Sequence, residues 1–79
     1  MRVVNEYIKD GLKITVFHWN NRYLLKLERG HLEQTYKIAE WDITSESDLE
    51  AILSTAFLKE AADRFDAMAA SLGEAMQGL

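Results

Sequence analysis

Three turn dipeptides, Asp10-Gly11, Asn20-Asn21 and Gly30-His31, punctuate the first half of the chain and leave it few ways to fold. Asp-Gly is a strong signal for a two-residue hairpin loop, because both central positions tolerate positive φ. Asn-Asn meets the same demand, and Gly30-His31 suits a turn that needs glycine at its first central position. Between the turns lie Leu12–Trp19, Arg22–Arg29 and Leu32–Ile38, rich in β-branched, aromatic and leucine side chains and uninterrupted by proline. Met1–Lys9 reads as a weaker first strand. The expectation is an antiparallel β-meander of three to four strands over residues 2–38.

Two-residue loops also set the register by counting, and with it the two faces. One face collects Val3, Asn5, Tyr7, Leu12, Ile14, Val16, His18, Tyr23, Leu25, Leu27, Leu32, Gln34, Tyr36 and Ile38, a core-like set. The opposite face carries Arg2, Val4, Phe17, Trp19, Arg22, Leu24, Lys26 and Lys37. Its expected rows are Arg2–Trp19–Arg22, Val4–Phe17–Leu24–Lys37, Glu6–Thr15–Lys26–Thr35 and Ile8–Lys13–Glu28–Glu33. Lys13 opposite Glu28 and Arg22 beside Trp19 are favourable pairs, each worth about 0.2–1 kcal/mol, while Glu28 opposite Glu33 is unfavourable.

Beyond residue 43 the pattern changes to helix. Thr44-Ser45-Glu46-Ser47-Asp48-Leu49-Glu50 offers several N-cap residues, with acids where the helix dipole favours them. At about 100° per residue, Leu49, Ile52, Leu53 and Ala56 point one way. Phe57, Ala61, Phe65, Met68, Leu72 and Met76 point another. One straight helix cannot bury both groups against one sheet, and Ser54-Thr55 at the switch supplies a fresh cap. The expectation is a short helix near 46–53 and a longer one near 55–77, packed on one sheet face. The alternative is a continuous helix whose second stripe meets another subunit. The longer helix can overhang the sheet, with Ala62, Ala69 and Ala70 admitting a neighbouring helix; Gly73 and Gly78 suggest a frayed end. The whole reads as a single α+β domain, 1–79.

A chain of 79 residues buries only about 60% of its unfolded surface, so self-association is a natural way to add buried area. There is no cysteine, which excludes disulfides and thiolate metal sites. The start has no signal-like apolar run and no stretch approaches membrane-spanning length, so a cytoplasmic location is expected. Net charge is −4, divided as +1 over residues 1–43 and −5 over residues 44–79.

Chemistry is sparse. No glycine-rich phosphate loop, nucleophile elbow or zinc-protease helix is present. His18 and His31 fall at opposite ends of the hairpins; His18 reads as a rim histidine bonded to a neighbour, His31 as a solvated turn residue. Glu40 and Asp42 flank Trp41, and Glu46, Asp48 and Glu50 read as helix-start electrostatics. No catalytic residue, metal site, cofactor or small-molecule substrate is expected, and no enzyme. The outer face is the one constellation with functional shape. Its aromatics and cations suit a protein partner or a second copy of the chain. Alternatively they suit single-stranded nucleic acid, which binds aromatic platforms edged by cations. A four-stranded sheet followed by helix is also the element order of the single-stranded-DNA-binding transcriptional coactivators and Whirly proteins, a likeness of order alone.

The stretch Val16-Phe17-His18-Trp19-Asn20-Asn21-Arg22-Tyr23-Leu24-Leu25-Lys26-Leu27-Glu28, continuing to Leu32-Glu33-Gln34-Thr35-Tyr36-Lys37-Ile38 and a helical tail with Phe57 and Phe65, resembles a family of small bacterial proteins with no assigned activity. That resemblance implies the meander-then-helix fold and no mechanism. The functional expectation is a non-enzymatic protein-interaction or homodimeric domain.

Overall fold

The computed structural model describes residues 1–79 and contains one four-stranded antiparallel sheet: β1 (Arg2–Lys9), β2 (Leu12–Trp19), β3 (Arg22–Arg29) and β4 (Leu32–Ala39), side by side in chain order. The turn residues explain this directly. Asp10, Gly11, Asn20 and Asn21 all take positive φ, and in the third turn Gly30 takes it. These are the conformations that let a two-residue loop follow the right-handed twist of its strands. The pairs Ile14–Leu27, Val16–Leu25 and His18–Tyr23 join β2 to β3, and Leu27–Gln34, Leu25–Tyr36 and Tyr23–Ile38 join β3 to β4. Across these three strands the expected register holds at every position.

A 3₁₀ turn (Glu40–Asp42) leads to α1 (Ser47–Ile52) and α2 (Thr55–Ala75). Asp48 organises the first start: its Oδ2 accepts the Thr44 N–H at 2.8 Å and the Ser45 N–H at 3.4 Å. The break falls where the apolar stripe rotates. Leu53 leaves the helical region at φ −81°, ψ 47°, and the Ser54 hydroxyl accepts the Phe57 N–H at 3.2 Å, satisfying one donor of the new first turn. Both helices can then turn their apolar sides to one sheet face. Leu49 and Leu53 from α1, and Leu58, Ala61 and Phe65 from α2, close over Leu12, Ile14, Val16, Tyr23, Leu25 and Leu27 in one buried cluster.

Leu58 is the deep residue at the start of α2, while Phe57 lies half-buried at its flank, edge-on to Tyr36 with ring centroids 5.4 Å apart. Gln34, the polar member of the inner face on β4, donates to the Ala61 carbonyl at 2.9 Å and accepts from Arg64 Nε at 3.0 Å and the Tyr36 hydroxyl at 2.7 Å. A half-buried amide thus anchors α2 to β4 at the margin of the core.

β1 departs from the counted register. It pairs with β2 as expected from Lys9 to Asn5, then shifts by one residue between Val3 and Asn5. Val4 is the extra residue of a β-bulge. Everything before it changes sides. Val3 now faces Phe17 on the outer face, whereas Val4 packs against the core cluster and Arg2 pairs with His18. The Arg2 guanidinium bonds Glu46, just before α1, at 3.1 Å. The expected placement of Arg2 and Val4 on the outer face is therefore corrected, as is that of Val3 on the inner one.

Removing the Ser54 hydroxyl should cost about 1 kcal/mol. For a domain of this size, Ser54→Ala should lower Tm by about 4–8 °C, measured by calorimetry. An unchanged Tm would mean the cap does not hold the start of α2.

Candidate interaction surface

With both helices on one side, the other side of the sheet has no covering layer. Strand alternation places on it the rows Val3–Phe17–Leu24–Lys37, Glu6–Thr15–Lys26–Thr35, Ile8–Lys13–Glu28–Glu33 and Trp19–Arg22–Ala39. Of the eight residues expected there, Phe17, Trp19, Arg22, Leu24, Lys26 and Lys37 are brought together; Arg2 and Val4 are not. Val3 is the member that counting missed. Trp19 is 49% exposed and Val3 53%. Phe17 and Leu24 are half-buried, shielded by their neighbours within the sheet. Thr15, at the centre of the face, is only 3% exposed.

The charges on this face are partly spent on one another. Lys26 Nζ lies 3.8 Å from Glu28 and 4.0 Å from Glu33, so one ammonium offsets the repulsion of two facing carboxylates. Glu33 also accepts the Thr35 hydroxyl at 3.0 Å. Glu28 thus takes its ion pair along its own strand, from Lys26 instead of the cross-strand Lys13. Arg22 sits opposite Trp19 in register, but the guanidinium–ring stackings of the structure are elsewhere: Arg29 over Phe65 at 5.2 Å and Arg64 over Phe57 at 5.7 Å. Arg22 and Lys37 carry no ion pair. The face therefore has an apolar centre with the free cations Arg22 and Lys37 beside it, and a mixed acid–base cluster nearer the Asp10-Gly11 and Gly30-His31 turns, where Lys13 is also without an ion pair.

Of the two histidines, His31 has no side-chain hydrogen bond and His18 has a partner. His18 Nε2 meets Glu40 Oε2 at 3.2 Å, and its ring lies 4.8 Å from that of Tyr23. Trp41 is 80% exposed at the turn after β4, where the Glu40 N–H donates to the Asn21 carbonyl at 3.0 Å. No group of three or more His, Asp or Glu side chains converges as a metal site would require. No helix is long and apolar enough to cross a membrane.

One concavity escaped the sequence reading, because the bulge that shapes it leaves no local signal. Val4, Asn5, Tyr7 and Val16 face Glu46, Leu49, Glu50 and Leu53 across a groove of about 240 Å³ between β1 and α1. That is below the roughly 300 Å³ at which ligand pockets begin, and its charged members are two glutamates. Burial in this groove, and secondarily the charge of Glu50, push the Tyr7 phenol above its ordinary pKa of 10.0. Compared with known proteins, the chain matches no family model, no curated protein and no solved structure.

The Tyr7 environment makes an alkaline prediction. Folding holds its proton, so the unfolded chain ionises first, and stability falls as pH rises from 10.0 through the raised value. Ultraviolet titration should show one of the three tyrosines ionising late. Glu50→Gln should return it part of the way, because burial is the larger cause. If Glu50→Gln leaves the late phase in place unshifted, the charge coupling is absent.

Proposed function

We propose that the chain is a non-enzymatic binding module that docks a partner protein on the open outer face of its sheet. The observation that carries this reading is the one-sided helix layer, which leaves Val3, Phe17, Trp19 and Leu24 as a contiguous apolar centre on a surface that would otherwise be solvated. Contiguous exposed apolar patches rimmed by polar groups mark interaction sites. Tryptophan and arginine are the residues on which interface energy concentrates. The rim is mixed in sign, with Glu6, Glu28 and Glu33 alongside Lys13, Arg22, Lys26 and Lys37, which suits a protein surface better than a polyphosphate backbone.

Single-stranded nucleic acid is the second reading, favoured by the free Arg22 and Lys37 beside Trp19 and Phe17. The resemblance to small bacterial proteins adds no chemistry to either.

A photoreactive phenylalanine analogue at Phe17, irradiated in growing cells, should give a discrete protein adduct that Trp19→Ala abolishes. Trp19→Ala should change folding stability by less than about 0.5 kcal/mol, since the ring is exposed. Labelled single-stranded oligonucleotide should not bind at moderate salt. Binding that falls steeply with salt and disappears in Trp19→Ala and Lys37→Glu would assign the face to nucleic acid instead.

A further inference from the structure

A lone exposed indole needs no explanation, but the surroundings of Trp41 do. Trp41 is 80% exposed on a turn that is tied down from both sides. The Glu40 N–H donates to the Asn21 carbonyl at 3.0 Å, and the Ile43 N–H donates to the Glu40 carbonyl at 3.1 Å. The next two residues, Thr44 and Ser45, are held through their N–H groups by Asp48. The β2–β3 turn, the 3₁₀ turn and the lead-in to α1 thus frame one concavity of about 490 Å³. Small-molecule sites span roughly 300–1,000 Å³.

One buried group opens into it. Tyr23 lines the concavity and is only 9% exposed. Its hydroxyl makes no hydrogen bond within the protein. No buried side-chain oxygen or nitrogen is both unpartnered and sealed from solvent. The hydroxyl therefore reaches water, and the concavity is where Tyr23 meets it. The neighbouring polar groups divide into spent and free. Ser45 Oγ is paired with Ser47 Oγ at 2.7 Å, and Glu40 Oε2 with His18 Nε2 at 3.2 Å. The Asn21 amide and the Thr44 hydroxyl, like that of Tyr23, have no partner in the protein.

The free groups select a ligand by their donor and acceptor rules. No lysine or arginine lines the concavity, and Glu40 with the adjoining Asp42 disfavours an anion. An ammonium can donate to the oxygens but accepts nothing from the Asn21 amide N–H groups, and a quaternary ammonium bonds none of the three. A sugar hydroxyl both donates and accepts, which matches an amide and two hydroxyls. A pyranose with equatorial hydroxyls also has a flat C–H face, the complement of an exposed indole with its apolar, electron-rich faces. We infer that this concavity binds a neutral saccharide, its pyranose ring laid on the Trp41 indole and its hydroxyls bonded to the Asn21 amide and the Tyr23 and Thr44 hydroxyls. Tyr23 belongs to the inner face of the sheet, so this site and partner docking on the outer face stand or fall separately.

The isotope-labelled full chain can be titrated with cellobiose and with N,N′-diacetylchitobiose, each to about 50 mM, and followed by proton–nitrogen NMR. At least one of them should shift the Trp41 indole signal and the Asn21 and Thr44 amides, leaving the Trp19 indole in place. Tetramethylammonium chloride at matched ionic strength should shift none of them. Trp41→Ala should weaken saccharide binding by about tenfold or more, with circular dichroism unchanged because the ring is exposed. Tyr23→Phe keeps the ring and removes one hydroxyl, and should weaken binding about three- to tenfold without loss of folding stability. Thr44→Val, at an exposed position, serves the same test should that variant fold poorly. No shift with either disaccharide, binding insensitive to Trp41→Ala, shifts centred on the Trp19 indole, or a response to tetramethylammonium at these signals would each overturn the inference.

Discussion

The register of β2, β3 and β4 is the constraint from which the rest of the molecule follows. A strand presents alternate residues to opposite faces, so a slip of one position would send Ile14, Val16, Leu25 and Leu27 to the solvent side and Thr15, Lys26 and Glu28 beneath the helices. The turns prevent this with conformations that suit glycine, asparagine and aspartate. Once the apolar set is committed to one face, the helices have one place to go. The buried core is small, with twelve of 79 residues buried, so polar groups at its margin need partners. The half-buried Gln34 has them, through three hydrogen bonds that also fix where α2 crosses β4.

Legibility in the sequence follows how local each determinant is. The three turns, the strand faces of β2–β4 and the restart at Ser54 are each set by residues within a few positions, and they can be read directly. The bulge at Val4 cannot. It lies far from the Asp10-Gly11 turn that counts the register, on an edge strand with a single neighbour, where one extra residue disturbs one ladder only. Its effect on the outer face is large, since it removes Arg2 and Val4 and supplies Val3. The depth of Leu58 relative to Phe57 is tertiary for another reason. The rotation of α2 is set by Gln34, Tyr36 and Arg64 acting together, and no window of helix sequence contains β4.

Charge pairing shows the same division. Facing residues are correctly read as Lys13 with Glu28 and Arg22 with Trp19, yet long side chains choose among several neighbours. Lys26 reaches both Glu28 and Glu33, a choice worth more to the sheet because it relieves a like-charge pair. These ion pairs are partly solvated and each contributes little to stability. They draw Lys26 to the two facing glutamates at one end of the outer face and leave Lys13, Arg22 and Lys37 without an ion pair.

The edges of the sheet sharpen what its open face means. Unpaired edge strands invite another chain to add itself to the ladder, and proteins blunt them with bulges and charges. Here β1 carries the Val4 bulge, Arg2, Glu6 and Lys9, and β4 alternates Glu33, Thr35 and Lys37 on its outward side. Strand addition is thereby opposed at both margins. The centre of the outer face receives no such treatment: Phe17 and Leu24 pair across β2 and β3, with Val3 beyond them and Trp19 at the next row. The sheet thus protects its edges while leaving side chains such as Phe17, Leu24 and Trp19 uncovered by any layer on its face.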